Sequence, residues 1–296
     1  MNNNMNQRAP QGVRTPSNPS VRRPSKRPGG PVNRKKYVRK NNTGRLLLVM
    51  VAVSVALIMI ICIAAYLMGV RYMKVTTDDG IIKFFGKVDS MGELASGTIY
   101  YADGARGEVV NGTIEYSNGD VYIGKLSKLV KSGAGTLKFA NGNVFEGQFE
   151  NDEYTGKGTL TYKNGDVYYG EFKDGKRDGQ GTYTWADGSK YEGLFKEDMK
   201  NGVGKLLDKD GNTVYEGSFV DDVKQGKGKY YFPNGDVYEG DFLDDVRTGH
   251  GKYVWANGEE YEGEFLNNDM NGKGKYTWPS GRVFEGDFSQ GKIVLE

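Results

Sequence analysis

The sequence predicts an all-β repeat protein: an elongated, twisted antiparallel sheet of consecutive β-hairpins, preceded by a disordered basic tail and one transmembrane helix. Three observations carry this expectation. They are a recurring aromatic-x-glycine triplet, a glycine-containing turn dipeptide between its copies, and an uncharged 25-residue stretch ahead of the first copy. The triplet glycines lie 23, 23, 23, 24, 23, 23 and 23 residues apart, so one supersecondary unit is stacked many times.

In chain order, Met1 to Arg45 holds 12 Lys or Arg, no Asp or Glu, and six of the eight prolines. Such a composition cannot bury a core, and residues 1–45 are expected to be disordered. The remainder carries 28 basic against 38 acidic residues. By the positive-inside rule this asymmetry puts the N-terminus in the cytoplasm and the repeats outside. Clusters such as Arg22-Arg23 and Arg34-Lys35-Lys36 could hold anionic lipid at about 1 kcal/mol per basic residue, although setting topology is role enough. A dedicated partner for the tail stays open, and nucleic acid is not expected.

Residues 46–70 carry no charge and are bracketed by Arg45 and Arg71. A helix of that length spans roughly 37 Å, enough for a hydrocarbon core of about 30 Å. The stretch is longer than a cleaved signal's apolar region and its basic lead is far longer, so it reads as an uncleaved signal-anchor. The expected protein is single-pass in the cell membrane, with extracellular repeats. The sole cysteine, Cys62, falls inside the span, which leaves the exported part without disulfides. Residues 71–80 read as a juxtamembrane linker. Residues 81–112 read as degenerate capping repeats, because Phe85-Gly86 and Gly97 keep the spacing while Gly107 to Gly112 is shortened and lacks its aromatic.

Residues 113–296 form the regular array. Its structural core is expected at Tyr122, Gly124, Phe145, Gly147, Tyr168, Gly170, Tyr191, Gly193, Tyr215, Gly217, Tyr238, Gly240, Tyr261, Gly263, Phe284 and Gly286. Asn118-Gly119, Asn141-Gly142, Asn164-Gly165, Asp187-Gly188, Asp210-Gly211, Asn234-Gly235 and Asn257-Gly258 read as type I′ hairpin turns, with positive φ at both central residues. Strand alternation puts Tyr238, Gly240 and Phe242 on the inside, with Val237, Glu239 and Asp241 outside. The gap over each glycine is expected to be filled by a ring from the neighbouring hairpin.

The pattern Tyr-Glu-Gly-x-Phe, six or seven further residues, Gly-Lys-Gly and an Asn-Gly turn resembles the MORN repeat family over about Phe84 to Phe288. The resemblance implies an extended sheet of hairpins used as a protein-interaction scaffold, often linked to membranes. Relatives place such arrays beside phosphatidylinositol phosphate kinase or methyltransferase domains, or in junctional membrane proteins. With repeats running to within a few residues of Glu296, no such catalytic domain is expected in this sequence.

No catalytic, cofactor-binding or metal site is expected. The one histidine, His250, occupies a slot filled elsewhere by Lys157, Gln180, Val203, Lys227 or Lys273, so His-based metal sites and Ser-His or Cys-His nucleophile pairs are excluded. Glu239 with Asp241, Glu262 with Glu264 and Glu285 with Asp287 would align as an acidic stripe on an open surface. Lys229, Lys252 and Lys275 make a solvated charge ladder the plainer reading, and binding of cations or a basic partner stays open. Asp221-Asp222 and Asp244-Asp245 lack the ligand density of a calcium loop.

These features predict a non-catalytic, membrane-anchored scaffold without cofactors, contacting a protein partner or cell-envelope component. At about 4.7 Å per strand, ten units extend on the order of 90 Å. The expected contacts are the exposed edge and the variable loops Glu150 to Thr155, Lys173 to Asp178, Lys196 to Asn201 and Leu243 to Thr248. The array ends could mediate self-association. The alternative is direct binding of membrane lipid or an envelope polymer.

Overall fold

A computed structural model of the chain describes residues 43–295. The expected disordered tail lies outside the described residues, except for Thr43 to Arg45. Helix α1 (Thr43–Leu67) has no buried residue and is a candidate membrane span. It begins and ends three residues before the expected bounds. Gly69 takes a left-handed conformation (φ 81°) and its N–H donates to Tyr66 O at 3.1 Å, which closes the helix as a C-terminal glycine does. The chain divides into two compact units inside α1, between Val55 and Ala56.

Beyond the helix the chain is one antiparallel meander. Its first strands are β1 (Val70–Thr77), β2 (Gly80–Val88), β3 (Leu94–Tyr100), β4 (Arg106–Val110), β5 (Thr113–Tyr116), β6 (Val121–Ser127) and β7 (Val130–Lys138). There follow β8 (Val144–Glu150), β9 (Glu153–Thr161), β10 (Val167–Lys173), β11 (Lys176–Thr184), β12 (Lys190–Lys196), β13 (Met199–Leu207) and β14 (Thr213–Val220). The last are β15 (Val223–Tyr231), β16 (Val237–Leu243), β17 (Val246–Val254), β18 (Glu260–Leu266), β19 (Asp269–Thr277), β20 (Val283–Ser289) and β21 (Lys292–Ile293). Each strand pairs with the one before and the one after it, so the sheet stays open and contacts are local. Residues 71–80, expected as a linker, instead form β1 and its turn, with Tyr72 paired to Phe85 and Val75 to Ile82. Alternation in Arg71 to Thr77 is enough to make a strand once β2 offers an edge. The capping segment 81–112 continues the same sheet.

The glycines explain the register. Gly228, Gly240 and Gly251 face one another on β15, β16 and β17, and the row continues unbroken from Gly124 on β6 to Gly286 on β20, one glycine per strand. Each repeat aromatic folds over two of them. A Cβ on Gly240 would sit 2.6 Å from Gly251 Cα and 2.7 Å from Tyr238 Cζ. The space is therefore filled by the strand's own tyrosine, not by a neighbouring hairpin's ring as expected. The hydroxyl then reaches past the glycine and donates to Asp241 O at 2.9 Å, and the equivalent bond recurs from Tyr122, Tyr168, Tyr191, Tyr215 and Tyr261.

The neighbouring hairpin contributes a phenylalanine instead. Phe242 packs edge-on to Tyr238 of its own strand at 5.2 Å, and Phe265 of the next repeat does so at 5.0 Å. The chain of perpendicular rings runs from Tyr122 to Phe288, the geometry aromatic quadrupoles favour. Tyr238 is 0% exposed and Phe242 5%, although the sheet is a single layer.

The turns differ from the expectation in a way that exchanges the two ends of each hairpin. In Phe232 to Asp236, Gly235 N donates to Phe232 O at 3.0 Å, and only Gly235 has positive φ (90°). This is a type I turn followed by a left-handed glycine, with Pro233 in its favoured place and Asn234 Oδ1 accepting from Asp236 N at 3.1 Å. The asparagine is there for its side-chain acceptor, not for its own φ. The type I′ turns lie at the opposite edge, where variable loops were expected. Asp244 (φ 51°) and Asp245 (φ 67°) join Leu243 directly to Val246. Asn151-Asp152, Glu197-Asp198, Asp221-Asp222 and Asn267-Asn268 do the same. The loops are thus strand ends plus two-residue turns.

Gly240→Ala is expected to destabilise the array by about 3 kcal/mol, because neither the tyrosine nor the facing glycine backbone can retreat. Gly235→Ala meets Ala256 Cβ only at 3.3 Å and costs about 1–2 kcal/mol through its left-handed backbone alone. Urea unfolding of the full chain in detergent micelles, followed by circular dichroism, separates the two.

Candidate functional site

The two faces of the array offer different chemistry. On the outer face one row alternates in sign: Glu192, Lys205, Glu216, Lys229, Glu239, Lys252, Glu262, Lys275 and Glu285 are successive cross-strand partners. Lys229 reaches Glu239 at 3.1 Å and Lys275 reaches Glu285 at 3.3 Å, while Lys252 turns to Glu260 at 2.7 Å. The acidic stripe is therefore interleaved with lysines. Exposed pairs of this kind contribute about 0–1 kcal/mol each.

At the next outward position Glu171 and Asp241 serve the backbone, while Asp287 meets Lys273 at 3.3 Å. Asp241 Oδ2 accepts from His250 N at 3.1 Å, and Glu171 Oε2 from Gln180 N at 3.1 Å. Each lies beside a bulge where Gly179 (φ 105°) or Gly249 (φ 58°) is left-handed. In Gly-x-Gly the first glycine turns the bulge and the second belongs to the glycine row. His250 is exposed and stands opposite Glu264 across the strands.

On the inner face the residues expected as the core hold their places. Tyr122, Phe145, Tyr168, Tyr191, Tyr215, Tyr238 and Tyr261 are fully buried, and Phe284 on β20 is half-buried. Their burial makes them architecture. Desolvation pushes the hydroxyls of Tyr191, Tyr215 and Tyr261 up to about 12, and those of Tyr168 and Tyr238 higher still.

The accessible chemistry lies beside them and was not singled out from the sequence. Tyr183, Trp185, Tyr230, Phe232, Tyr253 and Trp255 are half-buried on this same face, as are Tyr276 and Trp278. Neighbouring rings approach to 4.6 Å for Tyr253–Trp255 and 5.3 Å for Trp255–Tyr276. Their signal was present as a second 23-residue aromatic recurrence just before each Asn-Gly or Asp-Gly turn. It fails at Leu206 and Asp208, where the spacing also lengthens to 24 and the pairing slips at Leu206/Leu207.

Cations stand over these rings, at the other edge of the face. Arg247 lies 5.2–5.9 Å from the centroids of Phe232, Tyr238, Tyr253 and Phe265, and Arg177 lies 5.2–5.7 Å from Tyr168, Tyr183 and Phe195. Each is held by the next repeat's type I′ turn. Asp198 Oδ1 accepts from both the backbone N and Nε of Arg177, and Asp245 Oδ1 from Lys224 N and, at 2.7 Å, Lys224 Nζ. In return Asp245 N donates to Lys224 O at 3.1 Å. These aspartates tolerate the left-handed backbone and clamp one repeat to the next. That use, together with the two-residue geometry, accounts for Asp221-Asp222 and Asp244-Asp245. Among the described residues no group of three His, Cys, Asp or Glu is placed to hold a metal ion.

A second clamp runs along the Asn-Gly edge. Asp166 accepts from Tyr183 OH at 2.6 Å, from Asn164 Nδ2 and from Ala186 N, and Asp236 repeats the pattern with Tyr253 and Ala256. The tyrosine hydroxyl is the main reason that both carboxyls sit below their usual range. A carboxyl depressed in the folded state stabilises the fold above its unfolded value of about 3.9, and that contribution vanishes as pH falls through the lower folded value. The Asp166→Asn variant is expected to lose part of the acid-range dependence of its thermal midpoint below about pH 4 while behaving more nearly like the parent under stronger acid. Melting curves across pH 2–6 check this.

No curated protein matches the chain. Among solved structures, the TCP domain of Drosophila melanogaster SAS-4 (dCPAP), in complex with a proline rich motif of Ana2 (dSTIL), is 19% identical. That match covers 52% of this chain and 83% of that chain, with a TM-score of 0.33. The wild-type TCP10 domain of Danio rerio CPAP is 13% identical over 75% of this chain and 98% of its own, with a TM-score of 0.26. Scores this low carry no functional argument. The MORN repeat model matches residues 145–167, 168–190, 191–213, 215–237, 238–260 and 261–281. The same ring-over-glycine geometry reaches one unit further on each side, to Tyr122 and Phe284. With six matched repeats in close succession, built on one shared geometry, residues 145–281 of the chain are an array of MORN repeats.

Proposed function

We propose that this protein is a non-catalytic binding or scaffolding module, held at the cell membrane by α1 with its N-terminus in the cytoplasm and its array outside. The observation that carries the binding role is the inner face, where half-buried aromatic rings and held cations repeat along a rigid sheet. Rings that bring large contact area at little conformational cost, beside Arg, are what protein-binding surfaces concentrate. The partner contacts this face, between the two rows of turns. The two-residue turns have too little backbone freedom to act as adaptable binding loops.

The membrane placement rests on the apolar helix and on the charge asymmetry around it. No enzymatic role is assigned: Glu239, Asp241 and Glu285 are engaged by lysines, and Asp166 and Asp236 by tyrosine hydroxyls and backbone amides, in contrast to the paired acid and base of a hydrolytic cleft.

A photo-crosslinking residue at Trp255 in intact cells is expected to capture a discrete protein partner, and the same residue at Glu262 on the outer face is not. Equal capture at both positions, or none at Trp255, contradicts the reading. External protease is expected to remove the repeats and spare the basic tail. Tail digestion with protected repeats overturns the orientation.

A further inference from the structure

The inner face opens, at the head of the array, into a cleft of about 940 Å3 whose lining includes Tyr101, Tyr116, Asp78, Asp79, Asp103 and Glu153. Its origin is a shortened hairpin. Row partners Gly147 and Gly158 are eleven residues apart in sequence, whereas Val109 and Ile114, which pair across β4 and β5, are only five apart. The turn Asn111-Gly112 closes the hairpin before the arm that other repeats extend towards their type I′ turn.

That arm is what delivers the cation elsewhere. Arg177 stands over Tyr168 and Tyr183 with Asp198 at 3.1 Å, and Lys224 stands over Tyr215 and Tyr230 with Asp245 at 2.7 Å. Lys131, the first of the row, stands 5.2 Å over Tyr116 and is engaged by Asp152 at 3.0 Å. Among the described residues no Lys or Arg stands over Tyr101, whose ring lies 5.8 Å from that of Tyr116. The tyrosine and the carboxylates are present, and the shortened hairpin omits the positive group. Asp78, Asp79, Asp103 and Glu153 are exposed, and none of them takes part in a salt bridge among the described residues.

We propose that this cleft receives a Lys or Arg side chain from an extended basic segment of a partner protein, which supplies the cation over Tyr101 that the chain's own repeats supply further along. The proposal rests on the inner face being the binding surface, and it names the chemistry of one end of that surface. The repeats themselves are its template: ring, cation and carboxylate occur together along the array, and only the cation is missing here. A ring favours an organic cation over a metal ion, and the carboxylates form no metal-binding group. The lining also holds Lys128 and Lys131, but with Asp78, Asp79, Asp103, Asp120, Asp152 and Glu153 against them the cleft stays net negative, which draws in a basic segment from a distance.

The test uses the full chain in neutral detergent micelles and a fluorescein-labelled hexalysine peptide read by anisotropy at physiological salt. The expected result is one saturable site that the Asp78→Asn/Asp79→Asn variant weakens roughly tenfold and Tyr101→Leu weakens several-fold. The outer-face variant Glu239→Gln/Glu262→Gln is expected to leave the affinity unchanged, and hexaglutamate is expected not to bind. Asp78 and Asp79 lie in an exposed two-residue turn, so their replacement by asparagine keeps the fold, which melting curves check. Non-saturable binding, equal weakening by the outer-face variant, or full affinity in Tyr101→Leu overturns the proposal. Partner capture from Trp255 in the Asp78→Asn/Asp79→Asn chain separates the two readings. Capture without hexalysine binding defeats only the cleft, and hexalysine binding without capture defeats the wider face.

Discussion

A tyrosine lying flat on two facing glycines is the contact on which the rest of this sheet depends. A one-layer sheet has no second layer to cover its core, so burial must come from side chains that lie down along the surface. Tyr238 can lie down only because Gly240 and Gly251 have no Cβ, and its hydroxyl remains satisfied because it reaches the Asp241 carbonyl. Phe242 and Phe265 then close its edges. The glycines contribute little stability themselves, but without them the rings would stand up into water. Burial of the large rings, repeated hairpin after hairpin, supplies the hydrophobic stabilisation.

Placing the core rings flat leaves the remaining features of the inner face free for other uses. Arg177, Lys224 and Arg247 are held at the edge by the carboxylate or amide of the next turn, which fixes both the cation and the spacing between repeats. Half-buried aromatics such as Trp185 and Trp255 lie beside them, so a rigid aromatic and cationic surface follows from the same architecture that stabilises the sheet. Irregularities matter in this setting. At β13, Leu206 and Asp208 interrupt the aromatic stripe, and at β4–β5 a missing arm opens the cleft. A repeat protein varies its function by such local departures, since its regular positions are committed to packing.

Much of this was legible in the sequence. The period, the inside and outside of each strand and the identity of the buried aromatics all follow from the spacing of Tyr-x-Gly-x-Phe. The turns were not legible in the same way. Asn-Gly fits both a type I′ turn and a type I turn followed by a left-handed glycine, and only the length of chain between paired strands decides; Phe232 to Asp236 needs one residue more than a type I′ hairpin supplies. Conversely Asp244-Asp245 carries no glycine and does not look like a tight turn. It becomes one because its carboxylate bonds to Lys224 of the preceding repeat, a partner 21 residues away. Strand β1 was missed for a similar reason, because its pairing edge lies in β2, outside the regular motif. The half-buried aromatic stripe was missed because half-buried rings and fully buried rings have the same period.

The most direct measurement of the account is hydroxyl-radical footprinting of the full chain in micelles, read residue by residue on its tyrosines and tryptophans. If rings lie flat on a glycine row, Tyr168, Tyr191, Tyr215, Tyr238 and Tyr261 are protected, Trp185 and Trp255 are modified at intermediate rates, and Tyr169, 58% exposed on the other face, is modified fastest. Modification of Tyr238 as fast as Tyr169 would contradict the ring-over-glycine core, and with it the division of the array into a packed row and a free one.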